Sequence, residues 1–216
     1  MRLVSVNVSQ PKRIAIDSQN SVMTGIFKEP VRRRVMLRTL NLEGDGQADL
    51  TVHGGPDKAV YAYPIEHYDY WQGTLKRKDF PFGQFGENFT VEGMSEDTVH
   101  IGDIYRVGGA VVQVTQPRVP CYKLALKMEM PAFPQIFLSS GRSGFYLRVL
   151  QEGEVGAGDE IEQVQADPAQ LSVRDILHLA FFDKDNAELI REALKVRALS
   201  AAWREMLDER LVSQSR

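Results

Sequence analysis

The chain carries a single cysteine, Cys121, in 216 residues. That excludes an internal disulfide framework and any zinc site built on two Cys-x-x-Cys pairs. It also has no excess of positive charge: 26 Lys plus Arg stand against 29 Asp plus Glu, a formal net charge of -3. Such a chain lacks the overall field that grips a nucleic-acid polymer, so only a local basic pocket remains open to it. Long apolar runs are missing as well, none approaching the roughly 20 residues of a membrane-spanning helix. The first residues, Arg2-Leu3-Val4-Ser5-Val6-Asn7-Val8, alternate where a secretion signal would show an apolar block. There is no internal repeat and no low-complexity tract. What is present, 43% hydrophobic and 25% charged residues, is the composition of a globular chain. These features lead us to expect a soluble cytoplasmic protein that does not associate with membranes.

Two regions differ in period. Up to about Gln165 the dominant period is two: Val4, Val6 and Val8, then Ile14 and Ile16, Val99 and Ile101, and Phe145, Leu147 and Val149. This is the pattern of half-buried strands. Ile104–Val107 and Ala110–Val114, joined by Gly108-Gly109, read as a hairpin, glycines supplying the backbone freedom that a tight turn needs. Many short strands parted by glycine-containing turns predict a β-barrel in preference to a sandwich. One helix interrupts it, with Pro64 at its first position and Ile65, Tyr68, Trp71 and Leu75 at helical spacing. An exposed loop is expected from Lys76 to Gly86. After Asp167-Pro168 the period becomes helical. Ser172 and Asp175 have capping-box spacing, Asp185 and Glu188 open a second helix, and Ser200 caps a third. The expected organisation is therefore a mostly β domain over residues 1–166 and a three-helix unit over 168–216. A bundle that small is expected to dock on the barrel or on a second copy of the chain, as in a homodimer.

Four segments carry candidate chemistry. In Gln116-Pro117-Arg118-Val119-Pro120-Cys121-Tyr122-Lys123-Leu124, two prolines stiffen the approach to the cysteine and cations flank it. Arg118 and Lys123 would favour a thiolate, which is a nucleophile and a soft metal ligand. The plainer alternative is a small buried hydrophobe; the flanking residues tip the balance toward function. In Asp49–Tyr61, His53 stands before Gly54-Gly55 at a strand end and is the most plausible acid/base group, followed by Asp57 and Lys58 as a turn ion pair. Gly83–Val91 contains Gly86-Glu87-Asn88, which offers polar groups just before a strand. Ser139–Val149 contains Gly141-Arg142-Ser143-Gly144, an anion cradle or an ordinary turn.

Taken together these segments resemble the MOSC domain, the module named for the C-terminus of molybdenum-cofactor sulfurases. The matching residues are His53-Gly54-Gly55 with Asp57-Lys58-Ala59-Val60, Gly86-Glu87-Asn88, Arg118–Leu124 and Gly141–Gly144. Their order and the helical tail resemble the stand-alone bacterial YiiM-like branch, and the resemblance covers nearly the whole chain. It implies a MOSC-type β-barrel with inserted helices followed by a C-terminal three-helix unit, and a molybdopterin-type molybdenum cofactor in a cleft. It also implies that Cys121 binds the metal, and that N-hydroxylated compounds such as hydroxylamino purine analogues are reduced. Electrons would come from a separate flavin- or heme-containing donor, since the chain shows no Rossmann-type glycine fingerprint of its own.

On that reading His53 and Lys58 deliver protons and steady negative charge, Arg118, Lys123 and Arg142 hold the cofactor phosphate, and Asn88 holds the pterin edge. A carrier of molybdenum cofactor or sulfur without turnover is the alternative from another class. A Cys121–His53 hydrolase ranks last.

Overall fold

The computed structural model describes residues 1–48 and 54–214. The described strands are β1 (Arg2–Val8), β2 (Lys12–Ala15), β3 (Ser21–Thr24), β4 (Glu29–Val31), β5 (Val35–Leu37), β6 (Val60–Pro64), β7 (Phe89–Glu92), β8 (Ile104–Val107), β9 (Ala110–Pro117), β10 (Phe145–Gln151), β11 (Gly153–Val155) and β12 (Ile161–Gln165). The helices are α1 (Glu66–Leu75), α2 (Tyr122–Met128), α3 (Phe133–Ser139), α4 (Val173–Phe181), α5 (Ala187–Lys195) and α6 (Ala201–Gln214).

Eight strands form one mixed sheet in the order β12-β8-β9-β10-β6-β7-β1-β4. Only its β6–β7 pair is parallel. The expected barrel is corrected to an open sheet, because β12 and β4 remain its ends. A single bridge, Arg2 to Glu160, brings the start of β1 beside the start of β12, so the sheet curls toward closure without a continuous ladder. The hairpin from Ile104 to Val114 forms as expected, with Gly108 at φ +54° in its turn.

Local expectations shift where tertiary contacts decide. Pro64 ends β6 instead of opening α1, because its neighbour Ile65 donates its N–H to Val91 across the sheet. Val99 and Ile101 are buried but flank an isolated bridge from His100 to Ser172, so they form no strand. Ile14 belongs to the β2–β3 hairpin, which stands apart from the main sheet, and Ile16 lies beyond it, exposed. In the segment expected to be an exposed loop, Gln84 and Phe85 are buried.

The helices after Gln165 follow the predicted caps closely. Ser172 and Asp175 form a reciprocal capping box, and Ser200 Oγ accepts from Trp203 N. For α5 the cap is Asn186, not Asp185, its Oδ1 accepting from Leu189 N. Ile176, Leu177, Ile190, Ala193, Trp203 and Leu207 belong to the same hydrophobic cluster as Leu3, Val112 and Leu147. The three helices thus cover the sheet and share its core. A second cluster, Tyr61, Tyr63, Trp71, Phe85, Phe133 and Phe137 among its members, fills the other side of the sheet beneath α1, α2 and α3. Facing residues of paired strands share one side of a sheet, and Tyr146 faces Tyr61 on β6 and Gln116 on β9. This row underlies the site.

Candidate functional site

The chain leaves the sheet after Pro117, and Arg118 N donates to Gly144 O at 3.1 Å. That contact needs a glycine: Gly144 has φ +66°, and a Cβ there would collide with the Ala62 carbonyl and the Tyr61 and Tyr63 rings. Three residues after Arg118, just past Pro120, Cys121 has extended backbone (φ -121°, ψ 172°) and precedes α2. Its thiol is half-buried.

Arg118 is only 5% exposed. Its guanidinium carbon lies 4.8 Å from the Tyr61 ring centre and 5.3 Å from that of Phe137, which fixes the plane of the group. Burial works against its charge, but Tyr61, Tyr146 and Cys121 outweigh burial, and its pKa lies above the ordinary guanidinium value. Among the described residues, Nη1 of Arg118 and Oε1 of Gln116 are buried without a hydrogen-bond partner. A rigid arginine with an unused buried donor is suited to an anionic ligand.

Cys121 and Arg118 line a cleft of about 640 Å³, counted out to its open mouth. Lys28, Lys58, Lys123, Asp45, Tyr61 and Tyr146 line it too. One wall is the segment from Thr24 to Lys28, another the segment from Asp45 to Ala48. Lys28 Nζ and Asp45 Oδ1 join the two at 2.5 Å, both side chains almost fully buried. Burial pulls the Lys28 pKa down against the pull of Asp45. Asp45 also accepts from Ser9 N at 2.8 Å and from Asn88 Nδ2 at 2.9 Å, so one carboxylate ties three segments together. Burial likewise lowers the Lys58 pKa, with Asp57 opposing.

Four of the expected residues, Cys121, Lys58, Arg118 and Lys123, meet in this cleft, and Asn88 lines it as well. The Asn88 amide is already engaged, Oδ1 accepting from Tyr61 N and Nδ2 donating to Asp45. Asp57 turns its carboxylate to Arg148 and to Ala201 N, so it stitches β10 to the start of α6. Arg142 does not line the cleft; its guanidinium stacks 3.8 Å from the Tyr70 ring centre and donates to Ser140 O. His53 lies outside the described residues. Lys28 and Asp45 escaped sequence reading, since neither sits in a recognisable motif; the Gly44-Asp45-Gly46 turn was the only local signal.

A soft thiol, four lysine or arginine side chains and an unused arginine donor fit a phosphate-bearing cofactor whose metal takes a thiolate. The comparisons agree with the architecture. Residues 49–162 match the MOSC domain, and residues 171–214 match the YiiM-like, 3-alpha helix domain. The chain belongs to the MOSC family, in its YiiM-like branch. It is 43% identical to the uncharacterized protein YflK of Bacillus subtilis (strain 168), over 94% of this chain and 90% of that one. The crystal structure of YiiM from Geobacillus stearothermophilus superimposes with a TM-score of 0.83 at 41% identity, covering 97% of this MOSC chain and 98% of that one. A protein named Reductase from Gibberella moniliformis (strain M3125 / FGSC 7600) is 30% identical over 81% of this chain and 31% of its own length. No helix among the described residues is long and apolar enough to cross a membrane.

Proposed function

We propose that this MOSC protein is a molybdenum-cofactor-dependent reductase of N-hydroxylated compounds such as hydroxylamino purine analogues. The observation that carries the reading is the placement of the only cysteine in one cleft with Arg118, whose Nη1 is buried and has no hydrogen-bond partner among the described residues. The Reductase-named relative supports the reaction class.

Cys121 Sγ is the protein's metal ligand. Among the described residues no group of three His, Cys, Asp or Glu could hold a metal, so the metal's other ligands would come from the cofactor. When bound, the cofactor supplies the two-electron redox centre. Arg118 offers a planar, pre-oriented donor for its phosphate, and Lys123 and Lys28 add positive charge from the cleft walls. Lys58 Nζ, whose proton is loosened by burial, donates a proton toward the substrate oxygen. His53 is the proposed second proton donor. With Asn88 Oδ1 and Nδ2 already bonded, Asn88 shapes the wall and leaves ligand contacts to its neighbours, and Arg142 supports the loop before β10. Two electrons and two protons convert each N-hydroxyl compound to the amine and water. The electrons come from a separate flavin- or heme-containing protein.

The test is expression in a host with intact molybdenum-cofactor synthesis, followed by metal analysis and turnover of a hydroxylamino purine with a reconstituted donor. Stoichiometric molybdenum with turnover supports the proposal. Molybdenum that transfers to another apoenzyme without turnover would make the protein a carrier instead.

A further inference from the structure

Lys127, which lies on α2 behind Cys121, is half-buried and used by none of the chemistry above. Its Nζ donates to Ile26 O at 2.9 Å and to Gly83 O, and sits 5.7 Å from the Phe27 ring centre. Ile26 belongs to the Thr24–Lys28 wall of the cleft. Gly83 opens the turn whose far end, Gly86, also lines the cleft. These two segments are pressed together: a Cβ on Gly83 would lie 2.8 Å from Lys28 O, and one on Gly86 2.7 Å from Ile26 Cγ1. Glu87 grips the turn from beneath, accepting from Gly83 N at 2.8 Å and Phe85 N at 3.0 Å. Among the described residues, Lys127 is the α2 side chain whose hydrogen bond crosses to the Thr24–Lys28 segment.

We infer that Lys127 is a positioning residue: it ties the helix that presents Cys121 to the opposite wall and so sets the width of the cleft around the thiol. A single ammonium does this because it offers donors to two carbonyls from segments far apart in sequence, where a neutral side chain of that reach would serve at most partly. Gly83 O also accepts from Gly86 N at 2.9 Å, so loss of the Lys127 donor costs the Ile26 carbonyl most and favours an outward move of that wall. The inference rests on the cleft being the ligand site proposed above, but its first readout needs no cofactor.

Cys121 is the only thiol, so its alkylation reports on the cleft directly. The experiment measures the rate of reaction with iodoacetamide, a neutral reagent, in the full-length wild type, Lys127→Met, Lys127→Gln and Lys127→Arg, with thermal melts alongside. The expected result is a rate about tenfold faster in Lys127→Met, an intermediate rate in Lys127→Gln, and near wild-type behaviour in Lys127→Arg. Molybdenum content after expression in a cofactor-competent host should fall in the same order. A folded Lys127→Met protein with the wild-type alkylation rate overturns the inference. So does failure of both neutral variants to fold while Lys127→Arg folds, which would make Lys127 a general core group. A wild type that takes up no molybdenum would instead sink the cofactor proposal and leave the alkylation comparison standing.

Discussion

The Arg118 guanidinium stands 4.8 Å from the centre of the Tyr61 ring while its Nη1 has no hydrogen-bond partner among the described residues. Tyr61 in turn donates its hydroxyl to Ser143 O at 2.8 Å, so the ring that holds the arginine is itself held by the loop leading into β10. Charge, orientation and an unused donor thus coincide at one buried point beside the cysteine.

Replacing Arg118 should therefore weaken anion binding out of proportion to stability. Arg118→Gln is expected to lower affinity for inorganic phosphate by about tenfold or more, as for a lost charge-assisted hydrogen bond. Arg118→Lys should recover little, because an ammonium lacks the plane that the Tyr61 and Phe137 rings select. Calorimetric titration with phosphate checks both; equal affinity in all three proteins would remove Arg118 from the site.

Cys121→Ser separates packing from chemistry. The thiol is half-buried at a cleft and not in the core, so the melting temperature should move by no more than about 1 kcal/mol of stability implies. Molybdenum content and turnover should collapse, since serine is a hard ligand whose proton is held far more tightly. Full activity in the folded variant would rule out the thiolate-ligand mechanism.

The Lys28–Asp45 pair should show strong coupling. Asp45→Asn leaves a buried ammonium without its counter-charge, and the expected cost is about 3 kcal/mol. Adding Lys28→Met should restore much of it, because Asp45 has further donors in Ser9 N and Asn88. Chemical denaturation of the two single variants and the double variant measures this. Simple additivity would count against the pair.

Stability should also rise between pH 8 and 9.5. Burial pushes the Lys127 pKa down to about 8, despite the opposing pull of Glu87. Over that range the folded protein has released a proton that the unfolded chain, near its ordinary lysine value, still binds, so the fold gains about 1 kcal/mol per pH unit. Burial lowers Lys28 and Lys58 as well, in the same direction. The buried tyrosines, whose pKa values are raised, oppose this only as the unfolded chain begins to titrate near pH 10. Denaturation at fixed pH values should show the slope in the wild type and a shallower one in Lys127→Met. An identical slope in both would mean that Lys127 does not titrate there.

The features legible in the sequence are those whose physics is local. The turn at Gly108-Gly109, the capping box of Ser172 and Asp175 and the cap at Ser200 depend on residues within three or four positions, and each formed. The cysteine segment and its cations were legible for the same reason: Pro117 to Lys123 set their own spacing. Other outcomes needed the folded chain. Whether the sheet closes depends on how β1 meets β12, some 160 residues apart, and no short pattern encodes that twist. Arg142 lies two residues from Gly144, yet the Tyr70 ring takes its guanidinium, a contact no turn motif announces. Lys28 with Asp45, and Lys127 with Ile26, join segments 17 and 101 residues apart. Burying an ammonium beside a carboxylate or two carbonyls becomes favourable only once the surrounding core has excluded water, so tertiary packing decided that Lys28 and Asp45 join Arg118 and Lys123 in the cleft.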